Sequence, residues 1–396
     1  MRYNHPTDIP MSKFLFFDWI GERIPTQSVC VKGDTYPVTW ADDDALYVGV
    51  GDPNWYMKDG RNCILLGDRQ RSDDEYRSVC GQVFERITGG AERFEVERIH
   101  DFPGYIGGGG SGPKPCGMIC VEGKLYYAVQ NLLGMKPSRF REKSQHGSDA
   151  TILMSEDYGR TWAPDLNDLL SRAEKEQFDR ESQQWKTPPE ERNAFEGWTP
   201  MFPGSLFGGP SFVQFGKNNA DAVDGYVYAV SGDHWDNGRE LRLGRVPNGE
   251  IMDRAAWEFA IPSDGEPEWV KDLAASEPIL SIDRHISLPE MVYIKSLNRY
   301  LLLTWALHTD FRTPTGSELT VLESPHPWGP FSLVHYEWMW YKRDCCAYTP
   351  RVPLKWFDQT RLEGYMLFSG NWETQYPYYV PQVMKFGLTV RTDDLR

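Results

Sequence analysis

Apolar and polar positions alternate over short runs broken by Gly, Asp and Asn. That is the spacing of half-buried antiparallel strands, not the 3.6-residue period of helices. One phrase recurs: a strand, a turn, then an aromatic-rich strand ending in small or polar residues. It reads WADDDALYVGVGD over 40–52, CVEGKLYYAVQN over 120–131, DGYVYAVSGD over 224–233, LNRYLLLTWAL over 297–307 and LEGYMLFSGN over 362–371. A second strand pair follows, such as ELRLGRV with AWEFAI. The phrases begin roughly 65 to 100 residues apart, longer than a bare four-stranded blade, so insertions are expected. Five such units closing into a ring predict an all-β fold, a five-bladed β-propeller without free sheet edges. The stretch LNDLLSRAEKEQFDRESQQW, within an insertion at about 164–200, has mixed charge around Leu169, Leu170 and Phe178 and predicts a surface helix decorating a blade. The expected organisation is an N-terminal segment over 1–27 and a propeller over 28–390.

Residues 154–162, MSEDYGRTW, carry turn chemistry. Ser155 and Asp157 can accept from their own turn, Gly159 allows positive φ, and Trp162 is a large anchor. The spacing S-x-D-x-G-x-T-W resembles the Asp-box of sialidases and other β-propellers. The resemblance implies a peripheral hairpin whose Trp wedges between sheets, a structural role away from any ligand.

Composition narrows the function. A net charge of −15 over 396 residues opposes nucleic acid and anionic membrane surfaces, which select basic patches, and mildly disfavours a polyanionic substrate. Fifteen Trp and twenty Tyr suit stacking on sugar rings as well as sheet packing. The seven cysteines, Cys30, Cys63, Cys80, Cys116, Cys120, Cys345 and Cys346, show no zinc-like spacing with His, so buried free thiols are expected and no metal or cofactor is. The apolar run FLFF before Asp18 is too short for a signal peptide or membrane span, which reads as a soluble monomer, secreted if a leader was removed. GYIGGGGSGPKP over 104–115 lacks the Gly-Lys-Ser/Thr ending of a phosphate loop.

GDTYPVTWADDDALYVGVGD, FGGPSFVQFG, DGYVYAVSGDHWDNGRELRLGRVP, LPEMVYIKSLNRYLLLTW and SPHPWGPFSLVHY together resemble a propeller family long catalogued as a domain of unknown function, some of whose members are endo-D-arabinanases. The resemblance spans roughly 28–390 and implies a five-bladed propeller with a carbohydrate site in its funnel. A competing resemblance is the Arg-Ile-Pro of sialidases, present in GERIPTQSV over 21–29, whose Arg clamps a sialic acid carboxylate.

In a propeller the innermost strand of each blade starts at the funnel. The residues there are Asp34, Lys114, Ser211, Glu290 and Arg351, and strand ends add Asp52, Asn131, Asp233, His234, Trp305 and Asn371. Glycoside hydrolysis needs two carboxyl groups in different protonation states. Asp34 and Asp52 fit, because one precedes the first strand and the other closes the next, and Glu290 can oppose them across the funnel. Both aspartates also suit ordinary turns, and Asp42, Asp43 and Asp44 read as solvated turn residues. Lys114, Asn131, Asp233, His234, Trp305, Tyr348, Arg351 and Asn371 are the expected substrate contacts. Two other classes remain open. A polysaccharide lyase would use Tyr348 or His234 as base with Lys114 or Arg351 neutralising a uronate, and a non-catalytic sugar-binding propeller needs only aromatic and polar contacts.

Overall fold

The computed structural model describes residues 1–24, 26, 33–51, 55–58, 61–65, 80–103, 114–130, 147–166, 168–169, 178–179, 184–185, 199–309, 315–343, 345–371 and 379–391. Their regular structure is almost wholly β, with short 3-10 turns, and no helix among them is long and apolar enough to cross a membrane. The sheets are arranged as in a propeller. The first contains Val38–Trp40, Leu46–Gly51, Cys80–Gly90 and Arg93–Pro103; the second Lys114–Val121, Lys124–Gln130 and Thr151–Ser155. The third is built on Pro210–Phe212, Tyr226–Gly232, Gly238–Pro247 and Leu280–Ile286, with Arg2–Tyr3 added in parallel and Glu258–Ile261 and Glu268–Val270 branching off. The fourth contains Glu290–Ile294, Arg299–Leu307, Ser317–Ser324 and Ser332–Glu337. The last combines Tyr348–Arg351, Glu363–Ser369 and Gln382–Val390 with Leu15–Trp19.

Two expectations are corrected. Complete four-stranded blades number four rather than five, because the second sheet has three strands among the described residues. No helical insertion is seen among the described residues beyond a helical turn at 166, 168 and 169, and most of 164–200 lies outside them. Leu169 N–H donates to the Asp165 carbonyl (3.1 Å) in one short turn, and further on Phe178–Asp179 pairs with Gln184–Trp185 as an antiparallel hairpin.

The inner strands differ from the half-buried reading as well. Leu46–Gly51 and Lys114–Val121 are buried at every position, because sheets packed face to face cover both sides of a strand. Close approach explains two glycines. A Cβ on Gly49 would lie 2.5 Å from the Tyr127 hydroxyl of the second sheet, and one on Gly117 would lie 2.3 Å from the Pro210 carbonyl oxygen of the third.

Hydrogen bonds link neighbouring sheets in cyclic order. Cys120 N–H donates to Thr39 Oγ1 (3.0 Å), Gln214 Nε2 to the Met118 carbonyl (2.7 Å), Asn237 Nδ2 to the Leu307 carbonyl (3.0 Å), Trp19 Nε1 to Glu337 Oε2 (2.9 Å) and Thr35 N–H to Ser369 Oγ (3.1 Å). The segment 154–162 folds around two side chains. Ser155 Oγ accepts from Gly159 N–H (2.8 Å), and Asp157 accepts from Thr161 N–H (2.9 Å) and Thr161 Oγ1 (2.7 Å). Trp162 then packs on Phe84, Phe102 and Tyr127 at ring-centroid distances of 4.9, 5.9 and 5.5 Å, joining the first and second sheets.

Candidate active site

Arg351 ends the first strand of the last sheet and is completely buried. Its guanidinium reaches the starts of all the other inner strands. Nε donates to the Thr35 carbonyl (3.1 Å) and Nη2 to the Cys116 carbonyl (3.3 Å). Nη1 contacts Ser211 Oγ (3.2 Å), the Pro289 carbonyl (3.1 Å) and Glu290 Oε2 (2.9 Å). The other Glu290 oxygen accepts from Val352 N–H (3.2 Å). Burial raises the Glu290 carboxyl above its ordinary range, and the Arg351 charge and hydrogen bond pull it back. Only a planar fork with several rigid donors can serve so many acceptors at once, which a lysine ammonium cannot reproduce.

Asp34 sits beside this hub. Its backbone exchanges two hydrogen bonds with Gly51, N–H to carbonyl at 2.8 Å and back at 2.9 Å. Its Oδ2 accepts from the Tyr348 hydroxyl (3.1 Å) and the Tyr379 hydroxyl (3.3 Å). Its Oδ1 is buried and accepts no hydrogen bond among the described residues. Burial drives the Asp34 carboxyl above its usual value, opposed by the charge of Lys114 and by the two tyrosine hydroxyls. The same burial brings Lys114 down to about 8, opposed by Asp34. Both tyrosines are pushed well above 10, first by burial and then by the Asp34 charge. A raised carboxyl beside a lowered ammonium brings the proton affinities of the two groups closer together.

The backbone around Asp34 is unusual. Thr35 and Tyr36 both have positive φ, 67° and 38°, and Thr349 beside Tyr348 has φ 50°. A β-branched residue is costly in that region. Both threonines meet Ser369: Thr35 N–H donates to Ser369 Oγ, and Thr349 Oγ1 lies 2.8 Å from the same atom. These contacts turn the Thr35 carbonyl onto Arg351 and place the Tyr348 hydroxyl on Asp34.

The structure thus brings Asp34, Lys114, Glu290, Tyr348 and Arg351 together, with Ser211. Trp305 lies in the adjoining core, fully buried, its ring 5.5 Å from Tyr348 and 5.2 Å from Trp235. Asp233 closes a turn: it accepts from Arg239 N–H (2.9 Å), and although burial opposes this, His234 and nearby backbone N–H groups hold its carboxyl below the usual range. His234 lies beside it, Nδ1 3.7 Å from Asp233 Oδ1. Asn371 is buried, its N–H donating to the Cys345 carbonyl (2.6 Å). Asp52 and Asn131 lie outside the described residues, as does Pro25 of Arg-Ile-Pro. Tyr379, Thr35, Thr349 and Ser369 were invisible to sequence reading; the one local signal was GDTYP, where an Asp precedes a β-branched residue outside any regular alternation.

No known protein family matches the chain, and no curated protein matches it. Solved structures similar to it include a xylan β-1,4-xylosidase from Bacillus halodurans C-125, at 11% identity over 93% of this chain and 54% of that one, TM-score 0.48. They also include an α-L-arabinofuranosidase from Podospora anserina in complex with cellotriose, at 10% identity over 96% and 98% of the two chains, TM-score 0.41. A third is an endo-arabinase from Bacteroides thetaiotaomicron VPI-5482, at 11% identity over 91% and 95%, TM-score 0.40. With so few shared residues and TM-scores below 0.5, no activity or residue role passes from these proteins to this chain.

Proposed function

We propose that the chain is a glycoside hydrolase acting on a polysaccharide or oligosaccharide of the arabinan-type furanoside class, with its chemistry at the ring axis and the three-stranded sheet as the fifth blade. The observation that carries this reading is Asp34: a buried carboxyl raised by its surroundings, held through one oxygen by two tyrosines, its other oxygen without a donor among the described residues. An upward shift and a fixed orientation are what a general acid requires, since it must hold its proton until the glycosidic oxygen takes it. In the reaction Asp34 passes its proton to the glycosidic oxygen as the bond to the anomeric carbon breaks, and Lys114 stabilises the carboxylate left behind. Asp52 follows Gly51, whose backbone is bonded to Asp34, and supplies the ionised partner, either taking a proton from the water that adds to the anomeric carbon or adding to that carbon itself before water displaces it; Glu290 is the third carboxylate, clamped by Arg351. The choice of sugar is supported by the resemblance of the recurring phrases to endo-D-arabinanases.

The lyase reading loses support at Tyr348, because a proton-abstracting tyrosine needs a lowered pKa and this one is driven upward. Purified protein assayed on arabinans, other furanosides and uronic polysaccharides, with reducing-end detection, tests the proposal. New reducing ends with wild type, and a loss of roughly two to four orders of magnitude in Asp34→Asn, are expected. Full activity in Asp34→Asn refutes the assignment. Unsaturated uronide products establish the lyase instead, and sugar binding without turnover establishes the non-catalytic propeller.

A further inference from the structure

A second cluster of ionisable side chains lies where the third and fourth sheets meet the N-terminal segment, apart from the axis. His5, His285 and Glu318 line a cavity of about 600 Å³ together with Arg284, His308, Trp338 and Arg343. One ligand atom from each of His5, His285 and Glu318 lies within 4.8 Å of the others. His285 and Glu318 are buried and His5 half-buried.

The hydrogen bonding at His285 is decisive. Its Nδ1 lies 2.6 Å from the Asp283 carbonyl, and a carbonyl only accepts, so Nδ1 carries a proton. In the neutral ring Nε2 is then a lone pair, yet it faces Glu318 Oε2 at 2.9 Å, an oxygen already accepting from the Tyr336 hydroxyl (2.7 Å). Two acceptors pointed at each other require positive charge between them. Anchoring one ring nitrogen on a backbone carbonyl is also how metal-binding histidines are oriented. His5 completes the set. Its Nε2 lies 3.1 Å from the Tyr336 hydroxyl, and its Nδ1 accepts from Thr7 N–H (3.3 Å) with Thr7 Oγ1 at 2.8 Å, so a metal on Nε2 requires the ring proton to move to Nδ1, where Thr7 Oγ1 can accept it.

We infer that His5, His285 and Glu318 form a site for a divalent transition metal of the zinc type, with the cavity supplying the open coordination position. Bonds of about 2.0–2.1 Å in a tetrahedron put ligand atoms roughly 3.3 Å apart, within reach of small side-chain rotations from the spacing seen. The ligand set selects the metal. Two imidazoles and one carboxylate suit zinc, nickel or copper, whereas calcium and magnesium prefer oxygen shells. Arg284 and Arg343 oppose any cation held by charge alone, which sharpens the preference for strong imidazole bonds. The three ligands are far apart in sequence, so no His or Cys spacing announces them. Bound metal would tie the N-terminal segment to two sheets and stabilise the folded chain.

Protein stripped with a chelator and titrated calorimetrically with zinc sulfate tests this. One zinc per chain and a rise in melting temperature are expected, with no response to calcium or magnesium. His285→Ala and His5→Ala should each weaken binding at least tenfold and cancel the thermal shift. Glu318→Gln should do the same, while His326→Ala, at a histidine outside the cluster, should leave both intact. Should His285→Ala fail to fold, His5→Ala still decides, since its side chain is only partly buried. Absence of heat and thermal shift in wild type means that a proton alone sits between His285 and Glu318 and overturns the inference. Binding that persists unchanged in both histidine variants overturns it too, pointing to thiols elsewhere.

Discussion

Two pairs of opposite charge are buried at the axis, and they are filled differently. In the Arg351–Glu290 pair the guanidinium spreads its bonds over Thr35, Cys116, Ser211, Pro289 and Glu290, and both Glu290 oxygens are engaged. In the Asp34–Lys114 pair one carboxylate oxygen accepts nothing among the described residues, and both groups are displaced toward neutrality by burial. A saturated pair holds the ring at one geometry. An unsaturated one has capacity left for a further proton or donor, so hydrogen-bond filling, rather than burial or charge, distinguishes the two pairs, and the proposed function places its chemistry at the unsaturated one.

The largest effect is expected at Arg351. Arg351→Met leaves Glu290 buried without its partner and removes the contacts that join the sheets, a loss of about 3–5 kcal/mol; a melting temperature equal to wild type would erase the distinction between the pairs. Asp34→Asn should do the opposite, lowering turnover by roughly two to four orders of magnitude while the melting temperature holds. A variant that unfolds instead would move Asp34 to the structural side.

Lys114 offers a subtler contrast through pH. Its folded value of about 8 lies below the 10.5 of an exposed lysine, so between those values the unfolded chain binds the proton that the folded chain has released. Stability should therefore rise with pH across that window. Denaturant unfolding of wild type minus Lys114→Met between pH 7.5 and 10.5 should show the slope, and a flat difference curve would return Lys114 to ordinary exposed behaviour (the range follows from the two values given). The smallest effect belongs to Ser369→Ala, which removes one acceptor shared by Thr35 and Thr349. About 1 kcal/mol of stability should go, together with a larger fractional loss of turnover than of stability if the two strained threonines aim Tyr348 at Asp34.

Much of this arrangement was legible in the chain. The recurring phrases end on the second strands Leu46–Gly51, Lys124–Gln130, Tyr226–Gly232, Arg299–Leu307 and Glu363–Ser369, because short alternation and local turns are encoded within a dozen residues. Although Arg351 closes its strand, Lys114 and Glu290 at strand starts, Ser211 one residue in and Asp34 ahead of Val38–Trp40 followed from that register. What each does there did not. Arg351 reads as a substrate contact from its position, and its acceptors within the protein lie between 61 and 316 residues away, beyond any local pattern. Tyr379 lies past the last phrase and reaches Asp34 across 345 residues.

The last sheet takes its outer strand from Leu15–Trp19, paired from Leu15↔Val390 to Trp19↔Phe386. During synthesis the ribosome delivers that strand well before its partner, whose paired residues follow 367 to 375 positions later (386 − 19 and 390 − 15), so in that interval the strand has nowhere to dock. The earlier sheets can assemble on the emerging chain, but the ring can lock only after Gln382–Val390 has cleared the exit tunnel. Until then an unpaired LFFDW edge is exposed to other nascent chains, and cellular yield should depend on chaperones that shield it during that interval.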